Sequence, residues 1–171
     1  MGLPEALSAV NELKEKGVIQ DYAIGGGYAV IYHNVPYSSY DLDVFAIISG
    51  EESLDILSPI YKYFRERGNK IEDEYIFIED TPVQILPNIS PLYNEAVEQA
   101  HEIEIEGVWS KIARVEHLIV IALEVFRPKD RIRVVQLLEK ADKKTLDEIL
   151  DRFDNEERNL RKRYKSVLAG A

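Results

Sequence analysis

The chain has 171 residues, of which 46% are hydrophobic and 30% are charged, and its formal net charge is −10. This length fits one domain, or one domain with a small appendage, and allows a large buried core. The absence of cysteine excludes disulfides and zinc sites built from thiolates. With only three histidines, all far apart in sequence, a cation site would be built mainly from oxygen ligands.

The net charge and the lengths of the apolar runs limit which partners the protein can bind and where in the cell it can be. An acidic surface does not attract nucleic acid over long distances, so metal ions, backbone N–H groups or a local basic cluster would have to meet any phosphate. The longest apolar runs, such as residues 118–123, are well short of the ~20 residues that a membrane span needs. The N-terminus also lacks a basic region followed by an apolar one. We therefore expect no membrane partner and a cytoplasmic location.

The first part of the chain predicts alternating helices and strands. Apolar residues recur at a spacing near 3.6 over residues 3–16, which predicts an amphipathic helix that ends before Gly17. A short strand over residues 22–24 leads into three glycines, and a helix is expected to begin at Tyr28 and to end near Asn34. The apolar run that follows predicts a buried strand over residues 41–48.

The middle of the chain predicts a helix, a hairpin and a second helix. These elements are an amphipathic helix over 54–67, hairpin strands over 74–79 and 82–86, and a short helix over 92–100. Residues 102–106 alternate glutamate and isoleucine. This alternation predicts a strand with one solvent-exposed face, which suits an edge of the sheet.

From residue 115 onward the pattern is helical, with four helices expected over 115–126, 129–141, 145–153 and 156–168. The chain contains no internal repeat and no segment with the composition of a disordered linker. We therefore predict an α/β (α+β) fold: a small mixed sheet flanked by helices over residues 1–112. A C-terminal helical bundle over residues 113–171 is expected to pack on this core.

A pair of aspartates is the strongest candidate for a functional site. Asp41 and Asp43 are two residues apart at the start of a predicted strand, so both side chains lie on one face and can bind the same cation. The alternative is that Asp41 caps a turn and Asp43 is merely solvated. The glycines at 25–27 fit a tight turn from strand to helix under either hypothesis.

The motifs around this pair resemble the nucleotidyltransferase superfamily, which has the fold of DNA polymerase beta. In chain order they are Gly26-Gly27-Tyr28-Ala29, His33, Pro36, Ser39 and Asp41-Leu42-Asp43. The later segments 82–87, 91–100, 116–119 and 127–131 resemble a bacterial and archaeal branch that includes the abortive-infection toxin nucleotidyltransferases. The resemblance covers nearly the whole chain, and the order of the motifs is more specific than any one of them.

This resemblance implies a function and a set of site residues. Asp41 and Asp43 would hold two divalent ions, Mg²⁺, that bridge the phosphates of a nucleoside triphosphate. Gly26 and Gly27 would let backbone N–H groups approach the phosphates, with Ser39 in the place of the usual hydroxyl residue and Lys129 as a nucleotide-binding cation. The implied reaction moves a nucleoside monophosphate to a hydroxyl on RNA or protein, in a toxin–antitoxin setting.

Three positions depart from the pattern of that branch. Gln84 stands where a third, catalytic carboxylate is expected, Tyr37 where an arginine is usual, and Glu124 where a lysine is common. These departures favour an alternative, a catalytically degenerate protein that binds a nucleotide or a protein partner without turnover. Gln84 also fits the polar face of a half-buried strand, and Lys129 fits an exposed first turn of a helix. A third hypothesis is a structural subunit that forms a homodimer through its helical half.

Overall fold

The computed structural model describes residues 2–50 and 55–170. Within these ranges the helices are α1 (Leu3–Glu15), α2 (Gly26–Tyr32), α3 (Ser58–Glu66), α4 (Pro91–Glu98), α5 (Val115–Val125), α6 (Pro128–Leu138), α7 (Lys143–Phe153) and α8 (Leu160–Gly170). The strands are β1 (Asp21–Ile24), β2 (Leu42–Ile47), β3 (Lys70–Glu72), β4 (Tyr75–Ile78), β5 (Thr81–Pro87), β6 (His101–Ile105) and β7 (Val108–Ile112). No helix in the described part of the chain is long and apolar enough to cross a membrane.

The strands form one mixed sheet, which confirms the predicted α/β fold. In the described residues the sheet has seven strands in the order β3-β4-β5-β2-β1-β7-β6. The central strand β2 is antiparallel to β1 and parallel to β5, while β1 is also parallel to β7. The strand with alternating glutamates, β6, lies at one edge as predicted, and its exposed positions face solvent.

Two layers of helices cover the sheet. The apolar faces of α1 and α3 pack on one side, in a cluster that includes Leu7, Leu13, Ile60 and Phe64. On the other side α2, α4 and the C-terminal helices form a second cluster. Helix α5 lies at the centre of that layer, because nine of its eleven residues are buried and it contacts α4, α6, α7 and α8. Residues on both sides of position 112 contribute to this cluster. The division of the chain between residues 112 and 113 stays a prediction.

The structure adds two strands that the sequence did not predict. The strand β3 is only three residues long, and β7 (Val108–Ile112) mixes polar and apolar residues without clean alternation. Two helices begin later than expected. Helix α3 begins at Ser58, after a turn over residues 55–57. Residue 54, the predicted start, lies outside the described residues. Helix α8 begins at Leu160 because Asn159 has a left-handed backbone conformation with φ +53°.

Candidate active site

The turn between β1 and α2 brings the backbone of Gly26 against the side chain of Asp43. Gly26 has φ +54°, a conformation that favours glycine. A Cβ at this position would overlap Oδ2 of Asp43 and lie 2.6 Å from its Cγ. The backbone N–H of Gly25 also donates to the carbonyl oxygen of Asp43 at 2.9 Å. A glycine is therefore required for the carboxylate to lie directly on the turn.

Gly27 makes a second close approach on the same turn. A Cβ at Gly27 would lie 2.5 Å from Oγ of Ser39 and 2.8 Å from Cε1 of Tyr37. The hydroxyl of Ser39 in turn donates to the backbone carbonyl of Asp41 at 3.2 Å. The segment that precedes β2 thus folds back over the glycine turn. The structure brings together Gly26, Gly27, Ser39 and the two aspartates.

Asp41 and Asp43 line the same cavity, whose volume is about 440 Å³. Both side chains are half-buried. Burial, and then the negative charge of Asp41, raise the pKa of Asp43 from its ordinary value of 3.8 to about 6, although Arg133 and Lys129 act in the opposite direction. Among the described residues no group donates a hydrogen bond to the carboxylate of Asp43. A bound cation would relieve both the burial and the repulsion, so this carboxylate fits a metal ligand.

Gln84 lies beside Asp43 on the neighbouring strand. The two residues are direct partners in the parallel pairing of β2 and β5, and Tyr75 is the partner of Gln84 on its other side. The hydroxyl of Tyr75 lies 3.5 Å from Oδ2 of Asp41. In the described residues no group of three His, Cys, Asp or Glu side chains could hold a metal ion. The available ligands are two carboxylates and one amide oxygen, an all-oxygen set that suits a hard cation such as Mg²⁺.

Helix α6 supplies the positive side of the cavity. Lys129, which the sequence singled out, lies in the first turn of α6 and lines the cavity with an exposed side chain. Arg133, one turn further on, lines it as well, and the sequence did not single it out. The spacing of four residues places both on one face of the helix, which is the signal that could have found Arg133. The acidic pair therefore shares its cavity with three basic side chains, since Arg127 lines it as well.

Asp130 fixes the start of this helix. Its side chain is 2% exposed, and Oδ2 accepts hydrogen bonds from the backbone N–H of Arg127 at 3.0 Å and from Nε of Arg127 at 2.8 Å. Pro128 occupies the first turn, where its missing N–H is tolerated. These contacts cap the N-terminus of α6 and fix its backbone. The positions of Lys129 and Arg133 on that helix are therefore fixed as well.

Part of the cavity wall is apolar. This part consists of four side chains from α5, one from β5 and one from α4: Leu118, Ile121, Ala122, Val125, Leu86 and Tyr93. Burial, and then the charge of Glu124, raise the pKa of the Tyr93 hydroxyl to about 12, so this group stays protonated at neutral pH. The cavity therefore combines anionic and cationic side chains with an apolar part of the wall that could contact an uncharged ring or chain.

The fold and this cleft define a nucleotidyltransferase-like protein, and solved structures share the fold. A nucleotidyltransferase-like antigenic protein from Paracoccidioides brasiliensis matches with a TM-score of 0.58 at 12% identity, over 96% of this chain and 92% of that one. ANT(2″)-Ia in complex with adenylyl-2″-tobramycin matches with a TM-score of 0.54 at 15% identity, over 93% and 98%. A solution structure of the same antibiotic-resistance factor gives 0.52 at 14% identity, over 96% of both chains.

The family follows from the sequence. Residues 3–165 match the family described as nucleotidyl transferase of unknown function (DUF2204), and the chain belongs to that family. None of the curated proteins matches the sequence. The predicted membership of the nucleotidyltransferase superfamily is thus confirmed, whereas the resemblance to the toxin-type branch stays a prediction.

Proposed function

We propose that this protein transfers a nucleoside monophosphate from a nucleoside triphosphate to a hydroxyl acceptor, in a reaction that depends on Mg²⁺. The single observation that carries the proposal is the position of the Asp43 carboxylate. It lies against the backbone of Gly26 and beside Asp41, in a cavity that basic side chains also line. In the described residues it accepts no hydrogen bond from another protein group. A half-buried carboxylate without a protein hydrogen bond is better explained by a cation ligand than by a role in the fold.

The residues near the acidic pair have proposed roles. Asp41 and Asp43 hold the divalent ions, which when bound neutralise phosphate charge as pyrophosphate leaves. The backbone of Gly26 and Gly27 approaches the phosphates, because no Cβ blocks it. The hydroxyl of Ser39 borders the same turn, and Lys129 attracts the triphosphate from the opposite wall.

Gln84 has a more limited role than the carboxylate it replaces. Its amide oxygen can face a cation or the acceptor hydroxyl, but an amide cannot take up the acceptor's proton. The acceptor oxygen attacks the α-phosphorus, the bond from that phosphorus to the oxygen bridging to the β-phosphate breaks, and pyrophosphate leaves with that oxygen and its electron pair. Because Gln84 cannot take up the acceptor's proton, the proton passes to water. We propose RNA or protein as the carrier of that hydroxyl, in a toxin–antitoxin setting, in keeping with the resemblance of the motifs.

The test is release of pyrophosphate from each of the four nucleoside triphosphates, with MgCl₂ or with EDTA. The wild type should release pyrophosphate only with the divalent ion, and Asp43→Asn and Asp41→Asn should abolish release. Asp151→Asn, which changes an exposed carboxylate on α7, is the matched control and should leave the rate unchanged. Triphosphates labelled at the α-phosphate, offered with total RNA and with protein extract, show which carrier receives the label. Equal release by wild type and Asp43→Asn would contradict the proposal.

A second candidate is a degenerate protein that binds nucleotide without turnover. The observation in its favour is that Gln84, a neutral residue, is the direct partner of Asp43 on β5. This candidate predicts that a triphosphate binds, that binding weakens in Asp43→Asn, and that no pyrophosphate appears with any acceptor.

The third candidate is the homodimeric structural subunit. It predicts dimers, no nucleotide binding and no release of pyrophosphate, and light scattering at several protein concentrations tests for the dimers.

A further inference from the structure

The guanidinium of Arg133 lies in the wall of the cavity, and its N–H groups have few hydrogen-bond or ion-pair partners among the described residues. Its side chain is only 12% exposed. The Nη2 group donates to the hydroxyl of Tyr37 at 3.1 Å, Nη1 lies 3.7 Å from Oδ1 of Asp130, and in the described residues Nε is buried without a partner. Burying a guanidinium is costly unless its N–H groups are satisfied. The side chain therefore retains capacity to bind an anion.

Asp130 does not fully neutralise the positive charge of Arg133. Its two oxygens are already engaged by Arg127, through Nε at 2.8 Å and Nη2 at 3.3 Å as well as the backbone N–H. The contact with Arg133 is longer than any of these, at 3.7 Å. One carboxylate is thus shared between two guanidinium groups, which leaves a net positive charge on this part of the cavity wall.

Tyr37 links Arg133 to the glycine turn. The guanidinium of Arg133 lies 5.3 Å from the centre of the Tyr37 ring, in addition to the hydrogen bond with its hydroxyl. The same ring is so close to Gly27 that a Cβ there would lie 2.8 Å from Cε1. Tyr37 therefore holds the guanidinium at a fixed place relative to the turn against which Asp43 lies.

Resting on the proposed function, we infer that Arg133 binds the phosphates of the nucleoside triphosphate that leave as pyrophosphate, and that Tyr37 is its positioning residue. A guanidinium binds phosphate oxygens through two parallel N–H donors, a geometry that a lysine cannot reproduce. Lys129, on the same face of α6, adds a second positive charge nearer the cavity mouth.

Inorganic tripolyphosphate is the probe, because it carries the phosphate chain without a base or an acceptor. Its affinity for the full chain is measured by calorimetry with MgCl₂, with orthophosphate as the short comparison. Arg133→Met should bind tripolyphosphate about tenfold to a hundredfold more weakly, the loss expected for a hydrogen bond to a charged group. Arg131→Met is the matched control, since Arg131 stacks on Phe126 at 4.3 Å and does not line the cavity. That variant should keep the wild-type affinity.

Two further variants separate binding from a structural role. Arg133→Lys keeps the charge but not the fork, so it should recover only part of the lost affinity. Tyr37→Phe keeps the ring but frees the guanidinium, so it should weaken tripolyphosphate binding less than Arg133→Met does. A purely structural tie between α6 and Tyr37 predicts instead that Arg133→Met lowers the melting temperature while the affinity of the folded protein is unchanged, and that result overturns the inference.

The outcomes also separate this inference from the proposed function. If Arg133→Met binds tripolyphosphate as the wild type does, while pyrophosphate release still depends on Asp43, the inference fails and the transferase stands. If Arg133→Met loses tripolyphosphate binding but the wild type releases no pyrophosphate, the phosphate site stands and the transfer reaction fails. Absence of tripolyphosphate binding by the wild type overturns the inference directly.

Discussion

Asp43 and Gln84 are direct partners across the parallel strands β2 and β5. Partner residues on neighbouring strands project from the same face of a sheet, so the amide of Gln84 lies where a third carboxylate would extend the acidic pair. An amide offers a carbonyl oxygen but no negative charge. The electrostatic attraction of the site for a divalent cation is therefore smaller than three carboxylates would give.

Gln84→Glu should tighten divalent cation binding by about tenfold or more, because it adds a negative charge at close range to the acidic pair. Without a cation the same variant should be less stable than the wild type, since three carboxylates then repel one another in a partly buried site. Calorimetric titration with MgCl₂ and MnCl₂ measures the first effect, and thermal unfolding in EDTA measures the second. Gln136→Glu adds the same charge on an exposed position of α6 outside the cavity and should show neither effect.

Gly26→Ala should destabilise the protein and also remove cation binding. The left-handed backbone at φ +54° costs an alanine roughly 1–2 kcal/mol, and the new Cβ would displace the carboxylate of Asp43. Gly68→Ala is the control, because Gly68 has φ +80° but its Cβ would meet nothing within 4 Å. Denaturant unfolding should show the backbone cost in both variants and a larger loss in Gly26→Ala. Equal losses, with cation binding intact, would contradict the proposed contact.

The glycine turn and the acidic pair could be predicted from the sequence because both depend on local geometry. Side chains two residues apart in an extended chain share a face, although β2 begins at Leu42 and Asp41 precedes it, and consecutive glycines permit a tight turn. The spacing of four residues pairs Arg133 with Lys129, but it does not show that this face of α6 meets the cleft. Between residues 127 and 133 the chain has four basic residues at alternate positions, and only the packing of α6 against α5 shows that Lys129 and Arg133 turn toward the cleft.

The same limit explains the strands that the sequence missed. The strand β7 pairs with β1 at Ile24 and Ile112, so its place in the sheet depends on residues about 90 positions apart. Its own sequence, with the polar Ser110 and Lys111 side by side between apolar residues, does not show which face is buried. Long-range pairing of this kind is set by tertiary packing, which local propensity does not encode.

The contribution of Asp43 to the free energy of unfolding should fall as the pH rises from about 4 to about 6 in the absence of divalent ions. Burial and the charge of Asp41 raise the pKa of Asp43 to about 6 in the folded state, from an ordinary value of 3.8 in the unfolded state. In this window the folded state binds more protons than the unfolded state, so each step up in pH favours unfolding. Ionised Asp43 thus lowers the free energy of unfolding above pH 6.

Asp43→Asn tests this assignment because the amide cannot ionise. The variant and the wild type should have similar stability near pH 4, and the variant should be more stable by on the order of 2 kcal/mol at pH 7 in EDTA. Mg²⁺ should raise the stability of the wild type at pH 7 but not that of the variant, since the cation binds the ionised carboxylate. Urea unfolding at several pH values measures the difference, and a gap that does not change with pH would contradict it.

Asp130→Ala should cost about 3 kcal/mol, because it removes a helix cap and leaves the guanidinium of the largely buried Arg133 without its nearby carboxylate. The control is Asp142→Ala at the start of α7, where the aspartate accepts a hydrogen bond from the backbone N–H of Thr145 at 2.8 Å and forms no ion pair within the described residues. Loss of the cap alone should cost clearly less there than Asp130→Ala costs.

The difference between these two variants isolates the contribution of Asp130 to the charged wall of the cavity. Asp130→Asn keeps an oxygen that can accept from the backbone N–H of Arg127, so it should lose less stability than Asp130→Ala. In the double variant Asp130→Ala, Arg133→Met the unpaired guanidinium is gone, so the total loss should be smaller than the sum of the two single losses. Denaturant unfolding of the four proteins gives this coupling, and additive losses would mean that Asp130 acts on the helix start alone.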